Sequence, residues 1–172
     1  MNPLLRPATT NRQRRRRGNA LMEMAIIAVP LFGLLFSIID FGLAIFIRST
    51  LQHSVREGVR FAVTYETIGG QCQDASITTK VQQSAMGFLS GPDGANKIKV
   101  RYFSIDENSP GTFNEFGAGT GNAPGNIVEV SIEGYQYNWV APIYWSAAPL
   151  NITVRSADRM EALGAGGTSP CR

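Results

Sequence analysis

The sequence predicts an α+β chain: a long N-terminal transmembrane helix that continues as an amphipathic helix, then a second helix and a small three-stranded antiparallel sheet. Three observations predict it. Residues 18–47, GNALMEMAIIAVPLFGLLFSIIDFGLAIFI, are almost wholly apolar, with no charge between Met24 and Ile39. Behind them, apolar residues recur at Leu51, Val55, Val59 and Ala62, the spacing of one helical face. Beyond residue 96 the hydrophobic period changes to two, the signature of half-buried strands.

Residues 1–17, MNPLLRPATTNRQRRRR, are basic, polar and without periodicity, and read as a disordered cytoplasmic leader. The formal net charge of +3 is unevenly placed. Arg6, Arg12 and Arg14 to Arg17 contribute +6, whereas from Asn19 onward ten basic residues face thirteen acidic ones, a balance of −3. The basic character therefore belongs to the leader alone and does not imply a nucleic-acid partner. An arginine cluster ahead of an apolar run is a topology signal. It puts the N-terminus in the cytoplasm and the chain beyond about Arg48 outside. The expected division is a leader over 1–18, a transmembrane helix over 19–47 and an extracytoplasmic α+β domain over 48–172.

Residues 20–47 would reach about 42 Å as a helix, against a hydrocarbon core of about 30 Å, enough to span with some tilt. Pro30 removes one backbone bond and favours a kink, which membrane helices tolerate. Gly33 and Ser37 form a small-xxx-small pair, which lets another helix approach closely. The amphipathic continuation extends the helix to about Tyr65, with Gly69 and Gly70 as the stop.

DASITTKVQQSAMGFLSG reads as a second amphipathic helix, capped by Asp74 or Ser76, with Ile77, Val81 and Met86 on its apolar face and Gly91-Pro92 as its end. KIKVRYF, NIVEVSIEGY and NITVRS are the three strands. The polar face of the first is basic and that of the second acidic, so antiparallel pairing sets opposite charges across from each other. The Gly-, Asn- and Ser-rich connection over 104–125 is long for a compact domain and is either a binding loop or disordered. Tyr135, Tyr137, Trp139, Tyr144 and Trp145 crowd the stretch before the last strand. They are either ordinary core or an aromatic surface against the membrane interface or a partner subunit.

Cys72 and Cys171 both fall in the part expected outside, where an oxidising compartment makes a disulfide the default, against two unpaired thiols. Catalytic patterns are missing from the sequence. His53 stands alone on the helix extension, two distant cysteines make no zinc spacing, and no GxSxG, HExxH or P-loop pattern occurs. No enzyme activity, cofactor or metal is expected.

Basic residues, Gly18, four residues, Glu23 and then an apolar helix make a pattern that resembles the processing signal of type IV-like prepilins. The resemblance implies that a membrane prepilin peptidase cuts after Gly18 on the cytoplasmic side. Asn19 then leads the mature chain and Glu23 is its fifth residue. A second block, DFGLAIFIRSTLQHSVREGVRFAV over 40–63, resembles the TadE-like family of tight-adherence (Flp) pilus systems. The shared features are the embedded Pro30, the Asp40-Phe41-Gly42 step, Leu51-Gln52, and Arg56, Gly58 and Arg60. ADRMEA, 157–162, is similar to the family's usual end after the last strand. One departure is Met24, where an aromatic usually follows the glutamate.

The resemblance implies a minor pilin or pseudopilin of the bacterial inner membrane, single-pass, with its outer domain extracytoplasmic. Its partners would be the prepilin peptidase, other Flp/Tad pilins and the inner-membrane assembly platform. Glu23 would pair with the new amine of a neighbouring subunit, and Glu23, Gly33 and Asp40 would be the assembly and helix-contact residues. A carboxylate within a membrane helix is by itself a functional-site candidate. Glu23 snorkelling to the interface is the plainer alternative. The competing reading of the whole chain is an anchored or secreted extracytoplasmic binding domain behind an ordinary signal peptide.

Overall fold

The computed structural model describes residues 10–105, 111–141, 146–164 and 167–172, with side chains from residue 20 onward. Helix α1 runs unbroken over Thr10–Val63, 54 residues, through Pro30. At about 1.5 Å per residue it is about 80 Å long. It starts within the stretch expected to be disordered. Nothing between Thr10 and Arg17 breaks a helix, arginine and glutamine are good helix formers, and Gly18 alone costs only about 1 kcal/mol within a continuing helix. Residues 1–9 lie outside the described part. The helix stops just before Tyr65, which takes a left-handed backbone (φ 58°), and Gly69 and Gly70 follow with positive φ.

Two compact units result: Met1–Gly42 with Trp139–Ala147, and Leu43–Asn138 with Ala148–Arg172. The second holds the remaining elements, α2 (Gln73–Ser84), α3 (Gly91–Asn96), β1 (Ile98–Ile105), β2 (Phe113–Glu115), β3 (Ile127–Tyr137) and β4 (Leu150–Arg159). The strands form one antiparallel sheet in the order β2-β1-β3-β4, four strands where the sequence predicts three. The extra one, β2, is three exposed residues inside the Gly-rich connection, too short for any alternation to register.

The second helix differs from expectation at both ends. Its N-cap is Cys72, not Asp74 or Ser76, and no side chain caps it. It ends at Ser84, so Met86 leaves the helical face. Met86 has a left-handed backbone and is 71% exposed, and Ala85 and Leu89 take up the buried positions. Gly91-Pro92 opens α3 instead of closing α2, because proline suits the first turn, where its missing N–H is not needed.

The core of the second unit joins the periodic face of α1 to α2 and the sheet. Leu51, Val55 and Ala62, Ile77 and Val81, and Val128, Val130 and Ile132 are all fully buried. β1 and β3 pair in the register Arg101↔Glu129 and Lys99↔Ser131. Arg101 sits 2.9 Å from Glu133, 3.5 Å from Glu129 and 3.7 Å from Glu115, so the basic strand does meet acidic neighbours. The Arg101 guanidinium, by donating to Glu133, holds that carboxyl below its usual range. A register shift between Ile132 and Tyr135 marks a bulge in β3 at Gly134, whose φ of +71° favours glycine.

The connection after β1 is a structural clamp over its described residues. Phe116 N–H donates to the Tyr102 carbonyl. Asn122 donates to both Gln73 Oε1 (2.8 Å) and the Pro170 carbonyl (2.9 Å). Residues 106–110 lie outside the description.

Candidate functional site

The apolar half of α1 turns its side chains outward. Leu21, Ile26, Val29, Leu31, Leu34 and Ile38 are each 60% exposed or more. A soluble domain buries residues of this kind, so a helix greasy all round belongs in a membrane or beneath a partner. Residues 20–63 of α1 include a stretch long and apolar enough to cross a bilayer, which makes α1 compatible with a single-pass membrane anchor.

Gly18, Asn19, Glu23, Gly33 and Ser37, singled out from the sequence, lie along this helix. The backbone at Gly18 and Asn19 is helical; their surroundings are outside the described side chains. Glu23 is exposed, with Leu21, Met22 and Met24 around it also exposed at 68–72%. The Ser37 hydroxyl folds back onto the Gly33 carbonyl (2.7 Å), which satisfies a polar group without leaving the helix.

Asp40 differs from these. It is 1% exposed, and both carboxylate oxygens accept backbone N–H groups from a segment a hundred residues on: Val140 N–H at 3.0 Å and Ala141 N–H at 2.8 Å. Phe41 meets Trp139 edge-on, with ring centroids 5.7 Å apart. The carboxylate is thus engaged within its own chain. Of the aromatic stretch, Tyr135 and Tyr137 belong to β3, Tyr137 is buried, and Trp139 packs on Phe41. Tyr144 and Trp145 lie outside the described residues.

Each residue of the extension has a physical place. Leu51 is fully buried, and the Gln52 amide donates to the Arg155 carbonyl of β4 (3.1 Å). Gly58 lies under Val81 of α2, while Arg56 and Arg60 are exposed. Glu161 N–H in the ADRMEA stretch returns to the Val63 carbonyl at the end of α1.

The sulfurs of Cys72 and Cys171 are bonded, with Cα atoms 4.7 Å apart. Around them lies a polar cluster that the sequence reading does not single out. Gln73 is fully buried and donates to the Ala62 carbonyl (2.9 Å). Arg172 lies over the Tyr102 ring, 4.3 Å from its centroid, and pairs with Asp74 at 2.9 Å. It also donates to the Gly117 and Thr120 carbonyls. Burial pushes the Tyr102 phenol well up, and Asp74, which accepts a hydrogen bond from its hydroxyl at 3.0 Å, adds to this. Adjacency is the one sequence signal that points here, since Gln73 follows Cys72 and Arg172 follows Cys171. Among the described residues no cluster of three or more His, Cys, Asp or Glu has the arrangement to hold a metal ion.

Comparison with protein families matches residues 18–60 to the model of the TadE-like proteins. Neither curated proteins nor solved structures give a match. The matched span opens at Gly18, takes in Glu23, Pro30 and Asp40, and ends at Arg60, three residues before α1 does. From Gly18 to Arg60, then, the chain is similar to the TadE-like proteins.

Proposed function

We propose that this chain is a TadE-type minor pilin or pseudopilin that serves assembly of a tight-adherence pilus, held in the bacterial inner membrane by α1. The observation that carries this reading is an overlap of two spans. The TadE-like match over 18–60 takes in the stretch from Leu21 to Phe46, whose large apolar side chains face outward and which holds one exposed carboxylate, Glu23. The arginines ahead of Gly18 favour a cytoplasmic N-terminus, which leaves the sheet unit extracytoplasmic. The chain is a structural component, not a catalyst. Its partners are a prepilin peptidase, other pilins of the same system and the membrane assembly platform.

In this reading the peptidase cuts after Gly18 and creates a cationic amine on Asn19 near the lipid boundary. Attraction between that amine and a carboxylate is larger in a low dielectric than in water, which gives Glu23 its role. The test is the mature N-terminus. Mass spectrometry of the chain from cells with the peptidase should find Asn19 first, and a bulky replacement of Gly18 should leave the full-length form in the membrane. Intact protein led by Met1 in wild-type cells overturns the processing step. A start beyond Ile47 supports an ordinary signal peptide instead.

A further inference from the structure

Asp40 is clamped within its own chain by the N–H groups of Val140 and Ala141. We infer that residues 139–141 form a foothold in the outer headgroup layer of the bilayer, seated on α1 by Asp40, with lipid as the occupant of its exposed apolar surface. This rests on the membrane-anchor reading and deepens it.

Position is the first argument. Residues 20–39 form twenty consecutive helical positions, about 30 Å at 1.5 Å per residue, which equals the hydrocarbon thickness. A span that starts at Ala20 therefore reaches the far boundary at Asp40. Polar satisfaction is the second. Non-helical backbone is tolerated at such depth only where its polar groups are paired. The N–H groups of Val140 and Ala141 are paired with the two oxygens of Asp40, which in turn lets a carboxylate stand within an apolar run. Each side of the clamp removes the other's need for water.

Surface chemistry is the third argument. With the N–H groups of Val140 and Ala141 turned onto Asp40, this segment presents Val140, 62% exposed, beside Phe41, 53% exposed, and the half-buried Trp139. These are continuous with the outward Ile38 and Ile39 of the same helix, 65% and 49% exposed. Tryptophan backed by apolar groups is the side chain enriched at the headgroup level, where its ring is buried and its N–H stays wet. A partner helix is the competing occupant, and the experiment separates the two.

The full chain is reconstituted in phosphatidylethanolamine–phosphatidylglycerol vesicles that carry a nitroxide either near the headgroup or near the acyl-chain end. Trp145→Phe leaves Trp139 as the single tryptophan of the two in the sequence. Its fluorescence should be quenched about twofold more by the shallow label than by the deep one, as befits a tryptophan at the headgroup level. Asp40→Ala should abolish most of that shallow quenching. A control chain with Trp139→Phe, Trp145→Phe and Leu31→Trp reports on the span itself and should be quenched by the deep label, with and without Asp40→Ala. If the control is quenched and Trp139 by neither label, protein covers the turn and the inference falls while the anchor stands. Stronger deep than shallow quenching of Trp139 also overturns it, and unchanged quenching in Asp40→Ala removes the clamp from it. A control quenched by neither label overturns the anchor reading and the foothold together.

Discussion

Gly58 of α1 faces Val81 of α2 so closely that a β-carbon added to Gly58 would overlap Val81 Cγ2. Ile77 Cγ2 and Val130 Cγ1 stand 3.7 Å from the same point, so α2 and the sheet both close on this one bare position.

Replacing Gly58 with Ala adds about 1 kcal/mol of helix propensity. It also inserts a methyl against a β-branched side chain with little rotamer freedom, and overpacking of this kind costs about 1–3 kcal/mol. The expected net result is a loss of about 1 kcal/mol for Gly58→Ala. Gly58→Leu should prevent α2 from docking. Thermal unfolding of the full chain in mild detergent measures both. A raised midpoint for Gly58→Ala would show that Val81 yields without cost.

The Arg101 cluster gives the sheet a dependence on acid. The Glu133 carboxyl is held below its ordinary value of 4.5, first by the hydrogen bond from Arg101. A carboxyl depressed in the folded state contributes stability that is fully present above its unfolded pKa and is lost as pH falls through the folded one. The contribution is therefore intact at neutral pH and fades below about pH 4.5. Glu133 is 41% exposed and solvent-screened, so the pair is worth at most about 0.2–1 kcal/mol. The midpoint difference between wild type and Glu133→Gln should be visible near neutrality and vanish in acid. A difference that grows on acidification contradicts the assignment.

For the Cys72–Cys171 bond, non-reducing peptide mapping should recover the linked pair. Replacing Cys171 with Ser should lower stability by about 2–4 kcal/mol. The loss is expected to release Arg172 as well, so Tyr102 should become more accessible to solvent. Free thiols at both positions in protein isolated without reductant would contradict the bond.

Glu23 separates two forms of the assembly reading. Asn19 and Glu23 are four residues apart on α1, so the amine freed by cleavage can pair within one helix or across to a staggered neighbour. An internal pair makes Glu23→Ala lower the chain's own stability and spare partner association. We expect the other outcome: cleavage and insertion persist while crosslinking to other pilins falls. Unchanged crosslinking with normal pilus output removes Glu23 from assembly.

What the sequence made legible follows from how far each signal extends along the chain. The face Leu51, Val55, Val59 and Ala62 repeats over three turns, and β1, β3 and β4 carry polar–apolar alternations at 97–102, 128–133 and 152–155, so pattern alone located them. The three residues of β2 carry no period. Met86 looked apolar and periodic, but its left-handed backbone takes it off the helix. Asp40 was visible as an acid in an apolar run. That its oxygens take up the N–H groups of residues 140 and 141 depends on a contact spanning a hundred residues, which no local pattern encodes. Gln73 and Arg172 were hidden for the same reason, since their partners Ala62, Asn122, Tyr102 and Gly117 are scattered along the chain.

The bond between Cys72 and Cys171 also sets a clock. Its two halves are 99 residues apart, and a ribosome adding about 5–20 residues each second needs about 5–20 s to make the second after the first. Throughout that interval Cys72 is a thiol awaiting its partner, Gln73 lacks the Cys171 carbonyl that its N–H will meet, and the slot between Tyr102 and Asp74 has no guanidinium to fill it. A nascent chain of this kind is open to capture by the wrong cysteine, including that of a second copy. An oxidant that acts before residue 171 has been made would therefore yield linked dimers, and one that acts afterwards would yield the closed monomer.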